Sequence, residues 1–319
     1  MGSCNSKNSE DSSLLETLAD HTDSINCMTI ADDESVLVTG SEDKTARMWT
    51  TQDPDGSECL GTLEGHTGYV TTVHVFDTII ITGSSDKTIR KWDMTTCECD
   101  FIYSGHTAEV MRVICTGDYI ISSAKDNTAK IWIFDTDDLE EGEEEKACIR
   151  TFKVYKGHTG SIMTMTTDLD ARILFTGSTD STVRSWDIRS SRLLKIFSGH
   201  TTPIMCLSVV NKLMYTGDTA GVAKCWAWNF GDCTKEYKGH KHSITCLKFF
   251  KGILYTGCGD GDARAFEAKS GLLTKTFKTK ESAVVINCLG LCNHKLFTGG
   301  RDGKLRVWDI TKTDGVECS

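Results

Sequence analysis

Apolar residues along this chain come in short runs closed off by small and turn-forming residues. Runs such as TIIITGS (78–84) and RILFTGS (172–178) end in Thr-Gly-Ser, and nowhere do apolar positions recur at a helical spacing. Apolar runs of this length between turn signals predict β-strands, and two prolines against 28 glycines fit strands joined by tight turns. The pattern itself repeats. LLETLADH (14–21) has the same arrangement as CLGTLEGH (59–66) and LLKIFSGH (193–200).

Polar residues mark the repeat more sharply. A histidine is followed 20 or 22 positions later by an aspartate and, six beyond that, by a tryptophan. The complete sets are His21, Asp43, Trp49; His66, Asp86, Trp92; His106, Asp126, Trp132; and His158, Asp180, Trp186. Three weaker copies follow. His200 and Trp226 enclose Ala220 in the aspartate position, His240 and Asp260 precede Phe266, and Lys280 stands where the histidine belongs before Asp302 and Trp308. Ten residues before each aromatic lies a hydroxyl: Thr39, Thr82, Ser122, Thr176, Thr216, Thr256 and Thr298.

A period of about forty residues, with Gly65-His66, Gly105-His106, Gly157-His158, Gly199-His200 and Gly239-His240 near the starts and Trp92-Asp93, Trp186-Asp187 and Trp308-Asp309 near the ends, resembles the WD-repeat family. The resemblance covers residues 14 to about 310. It implies an all-β fold, a seven-bladed WD-repeat β-propeller with four strands per blade. It also implies that His, Ser or Thr, Asp and Trp of each unit form a buried hydrogen-bonded chain running from indole to hydroxyl to imidazole to carboxylate. The donor and acceptor capacities of the four groups agree with that order.

Seen singly, such a trio of His, hydroxyl and Asp looks like nucleophilic machinery. Repetition argues against it, because a constellation present in every unit performs a task that every unit shares. We therefore expect no enzymatic activity and no cofactor. His74, His242 and His294 fall outside the repeat and have no partner at suggestive spacing.

Beyond Asp309 only Ile310 and TKTDGVECS remain, with no apolar run for a fourth strand. The strand within 14–21 is therefore expected to complete the last blade and close the ring, which removes an open sheet edge. The expected organisation is a leader over 1–13, one propeller over 14–310 and a tail over 311–319.

Fifteen cysteines raise the question of disulfides or metal. Cys27, Cys206, Cys246 and Cys288 occupy one position of their repeats, where Thr72 and Thr164 stand in others, so that position is a packing slot for a small residue. Cys97 and Cys99 lack a second pair at zinc spacing. The expectation is reduced thiols and no metal. Arg112 takes the same slot, and its charge requires a carboxylate or a wet channel.

Charge is concentrated. Residues 135–145, DTDDLEEGEEE, supply eight of the ten net negative charges and form the core of an insertion at 135–147. Such a block is a solvated loop or a docking segment for a basic partner. A sequence pI near 5.4 and the lack of a basic stripe exclude nucleic acid as an expected partner. No apolar run approaches the roughly 18 residues of a membrane span, and no secretory signal is present.

The opening MGSCNSKNSE matches the acceptor pattern for N-myristoylation at Gly2, with Ser6 in the required place. A single myristoyl chain anchors only marginally, and Cys4 is positioned as an S-palmitoyl acceptor to provide the second signal. The expected location is cytoplasmic, peripheral on the inner face of a membrane through the lipid anchor. The acidic insertion lies on the side from which the leader departs. Anionic lipid repels it, so the leader is expected to hold the ring off the surface.

On the opposite rim, positions just after each histidine and just before each aspartate vary on a fixed scaffold, as a binding face requires. Tyr69, Glu109, Lys125 and Arg301 are the candidate partner-binding residues. The expected function is a monomeric scaffold that binds other proteins or peptides. The alternative is a substrate receptor of a cullin-type ubiquitin ligase, since Trp186-Asp187-Ile188-Arg189 is similar to the Trp-Asp-x-Arg element of those receptors.

Overall fold

A computed structural model describes residues 13–52, 56–136, 139, 147–153, 157–278, 284–292 and 294–311. Gly2, Cys4, Lys280 and most of the acidic insertion lie outside these residues. Within them the chain forms seven four-stranded antiparallel sheets. Blade one is built from Ile25–Ile30, Val36–Ser41, Ala46–Thr50 and Cys59–Leu63, and the later blades repeat that order. The first strands of neighbouring blades pack side by side around the middle of the ring. Because consecutive strands are antiparallel, their connections fall alternately on the two faces.

Blade seven joins the two ends of the chain. Ile286–Cys292, Lys295–Gly300 and Leu305–Asp309 are followed in the sheet by Leu14–Leu18, with Leu18 opposite Leu305 and Leu14 opposite Trp308. The Asp309 amide donates to the Ser13 carbonyl at 2.7 Å. The expected closure is present, and the sheet has no missing strand.

Burial decreases outward along each blade. The second strand Ile79–Ser84 is buried at all but its first residue, whereas the fourth strand Leu193–Ser198 alternates half-buried and exposed positions before Phe197. The cores therefore lie between blades: Val38 and Met48 of blade one pack with Val70, Val73 and Ile80 of blade two. The Thr-Gly-Ser ending of the second strand follows from this packing. A Cβ at Gly83 would lie 2.6 Å from Val110 Cγ1 of the next blade.

Every first strand carries a bulge at one place, between Ile25 and Cys27 in blade one and between Val110 and Arg112 in blade three. The residue inserted there reaches across to the next blade. Asn26 Nδ2 donates to the Val70 carbonyl at 3.3 Å, Thr71 Oγ1 to Val110 at 2.6 Å, and Asn287 Nδ2 to Ile25 at 3.0 Å, while Thr245 Oγ1 donates to Ile286. Blades three, four and five carry Met111, Met163 and Met205 at this position, and a thioether has no proton to donate. Between blades five and six the Cys206 thiol makes a substitute contact with the Ile244 carbonyl at 3.6 Å.

Candidate functional site

The repeated polar residues meet within each blade. In blade one, Trp49 Nε1 donates to Thr39 Oγ1 at 2.8 Å, His21 Nε2 lies 2.9 Å from the same hydroxyl, and His21 Nδ1 is 2.7 Å from Asp43 Oδ2. The sets containing His66, Thr82, Asp86 and Trp92, then His106, Ser122, Asp126 and Trp132, then His158, Thr176, Asp180 and Trp186 have the same geometry. The aspartate also ties down its own turn, since Asp43 Oδ1 accepts from the Thr45 amide and hydroxyl. Burial alone would raise the Asp43 carboxyl pKa, but the hydrogen bonds from His21 and Thr45 outweigh it and hold the group far below the usual carboxylate range. These carboxylates are fully committed to neighbours. The tetrads tie the loop that carries each histidine to the strands of its blade.

The last three blades depart from the pattern in ways that the spacing did not reveal. Blade five does not lose its carboxylate: Asp218, two residues before Ala220, places Oδ2 2.7 Å from His200 Nδ1. The expectation that Ala220 leaves that set incomplete is corrected, because the aspartate has moved into the serine position of Thr-Gly-Ser. In blade six Phe266 has no donor, and Arg264 inserts between His240 and Asp260, with NH1 hydrogen-bonded to His240 Nδ1 and 3.0 Å from Asp260 Oδ2. In blade seven Arg306 NH2 is 2.5 Å from Asp302 Oδ2, so Asp302 has a cationic partner two residues before Trp308. A signal for this was present, since a basic residue precedes the aromatic by two in all seven repeats: Arg47, Arg90, Lys130, Arg184, Lys224, Arg264 and Arg306. Where the tetrad is complete the same residue turns elsewhere, as Arg90 does over the Trp92 ring at 5.7 Å.

His240, Cys258 and Asp260 bring three metal-ligating atoms within 4.8 Å of one another. The Arg264 guanidinium already bonds to His240 and Asp260 there, so the charge a cation would supply is provided by the chain. The described cysteines, Cys97 and Cys99 included, are free thiols.

On one rim, the two variable positions picked out by sequence are paired through their backbones. The Ser85 amide donates to the Tyr69 carbonyl, Lys125 to Glu109, and Arg301 to Val285, each at 2.9 Å. Side chains there are consequently free to differ while the main chain is held. Tyr69 is 49% exposed, a large apolar ring presented to solvent. Arg301 is exposed, and Lys125 Nζ pairs with Glu109 Oε2 at 2.5 Å, so two of the four candidate residues partly satisfy each other. Ser24, at the corresponding position in blade one, is buried and contributes little to the surface.

The Arg112 slot faces the bore of the ring, a cavity of about 550 Å³. Its guanidinium donates to the Met111 carbonyl at 2.8 Å and lines the bore, and among the described residues no carboxylate pairs with it.

Residues 12–50, 57–93, 97–132, 146–187, 191–227, 231–267 and 271–309 match the sequence family described as "WD domain, G-beta repeat". Among curated proteins the chain is similar to WD repeat-containing protein 86 of Homo sapiens, 43% identical over 65 residues, which is 20% of this chain and 16% of that protein. It is also similar to pre-mRNA-processing factor 19 of Oryza sativa subsp. japonica, 29% identical over 195 residues, 61% of this chain and 28% of the relative. F-box/WD repeat-containing protein 10 of Mus musculus is 36% identical over 55 residues, 17% of this chain and 5% of its own length. The chain thus spans well under a third of each of these relatives.

Proposed function

Because this chain belongs to the WD-repeat family, its G-beta repeats running from residue 12 to residue 309, we propose that it is a non-enzymatic scaffold for protein–protein interaction, tethered to the cytoplasmic face of a membrane by N-terminal acylation. The observation that carries the scaffold reading is the rim. Identical backbone hydrogen bonds in successive blades hold positions whose side chains differ, and Tyr69, Lys125, Glu109 and Arg301 stand exposed there. An exposed aromatic beside charged residues is suited to an extended peptide or a protein loop.

Support for the tether comes from the leader MGSCNS, in which Gly2 and Ser6 fit the myristoylation pattern and Cys4 provides a palmitoylation site. Two lipid chains give stable anchoring where one does not. Metabolic labelling with a myristate analogue, followed by membrane fractionation, tests it. Wild type is expected to incorporate label and sediment with membranes, and Gly2→Ala to lose both; a Gly2→Ala protein that stays on membranes sinks the tether. The second reading, a receptor of a cullin-type ligase, rests on Arg189, which is exposed after Trp186 and Asp187. Capture of a ligase adaptor by wild type and not by Arg189→Ala would favour it.

A further inference from the structure

The bore of the propeller has an electrostatic character that the repeat does not require. At one level it is ringed by Cys27, Thr72, Arg112, Thr164, Cys206, Cys246 and Cys288; two residues further along the strands come Thr29, His74, Ile114, Thr166, Ser208 and Lys248. Most of these are small and uncharged. The thiols are neutral, since burial pushes Cys27 and Cys246 up to about 12. His74 is also neutral: burial, with the charge of Lys248 adding to it, brings its pKa down to about 4 despite a contact with the Cys115 carbonyl at 3.2 Å. The formal charges lining the bore are therefore Arg112, Lys248 and Asp32. Asp32 lies just past the end of its strand, in the turn at the far mouth.

Arg112 and Lys248 come from blades three and six, which stand on opposite sides of a seven-membered ring. The Arg112 charge acts on Cys27, Cys206, Cys246 and Cys288 in blades one, five, six and seven, while its NH1 is held by the Met111 carbonyl of its own strand. Lys248 is exposed toward the bore, and desolvation by the surrounding wall, with the Arg112 charge adding to it, lowers its pKa. Among the described residues its ammonium has neither a hydrogen bond nor a salt bridge. Two like charges line one confined cavity, and among the described residues neither is paired with a carboxylate, an arrangement that costs free energy until a counter-charge enters.

We propose that the bore is a binding site for a small phosphate-bearing anion, held by Arg112 from one side and Lys248 from the other. The planar fork of a guanidinium matches two phosphate oxygens, and an ammonium serves as a compact point charge for a third. Threonine and serine hydroxyls around the wall provide neutral donors, and the cavity is of the size that holds small molecules. Asp32 at one mouth repels an anion, so the ligand enters from the rim side. Once bound, it links opposite blades and stabilises the closed ring by mass action.

Isothermal titration and thermal melting of the full chain with inorganic pyrophosphate test the site, with chloride at matched ionic strength as control. The variants are Arg112→Thr and Lys248→Ser, which install residues that other blades carry at those positions, and Lys248→Met, which keeps the apolar stem. The expected result is saturable one-site binding and a raised Tm for wild type, with about tenfold or greater loss of affinity in each variant. Without pyrophosphate the variants are expected to melt at or above wild type, because each relieves an unpaired cation. No binding by wild type, or equal binding by wild type and both Lys248 variants, overturns the proposal.

Discussion

At the scale of single residues, the hydroxyl is the centre of each tetrad, because it alone touches both the indole and the imidazole. Thr82→Val keeps the shape and removes that centre, leaving Trp92 Nε1 and His66 Nε2 without their partner. A loss of about 1–3 kcal/mol for each stranded group is expected, read from the urea midpoint. Thr256→Val in blade six should cost less, since Phe266 offers no donor and only His240 is stranded. Histidines also set a pH dependence. Burial first, and then the Arg264 charge, lowers His240 from 6.5 to about 4, while burial and Lys248 do the same to His74. The unfolded chain therefore takes up these protons at higher pH than the folded one, so stability is complete above about 6.5 and falls as pH drops toward 4. His74→Thr should flatten that slope in urea titrations between these pH values; an unchanged slope would remove His74 from the account.

At the scale of elements, neighbouring blades are fastened unequally. Asn26, Thr71, Thr245 and Asn287 reach from their bulges to the next first strand, and the methionines of blades three and four cannot. Among the described residues, no side-chain hydrogen bond from this position crosses the seams between blades three and four or between four and five. Met111→Thr should supply a hydroxyl to the Ile162 carbonyl, as Thr71 does to Val110, and stabilise the protein by about 0.5–1.5 kcal/mol. Hydrogen exchange of the strand Ile162–Thr167 is the direct readout. Slower exchange there, with the strand Val70–Phe76 unaffected, is the expected outcome, and equal protection in wild type and variant refutes the seam.

At the scale of the whole molecule, the ring depends on one strand taken from the far end of the chain. Removing residues 14–18 leaves Leu305–Asp309 as an unpaired edge and exposes the Trp308 side of the last core. Loss of cooperative melting and aggregation are expected; a soluble truncation with an unchanged Tm would show that the closing strand is dispensable. The closure was readable beforehand because LLETLADH repeats the apolar pattern of CLGTLEGH and LLKIFSGH, and the number of blades was readable because each rung keeps its hydroxyl ten residues before its aromatic. Period and polarity are local properties, so the sequence by itself determined the strands, the blades, the tetrads and the rim positions. It did not determine which aspartate serves His200, that Arg264 and Arg306 replace the lost partners, or that Arg112 and Lys248 line one bore. Those outcomes depend on which side chains a closed ring brings together from distant repeats, and only the tertiary structure decides such distances.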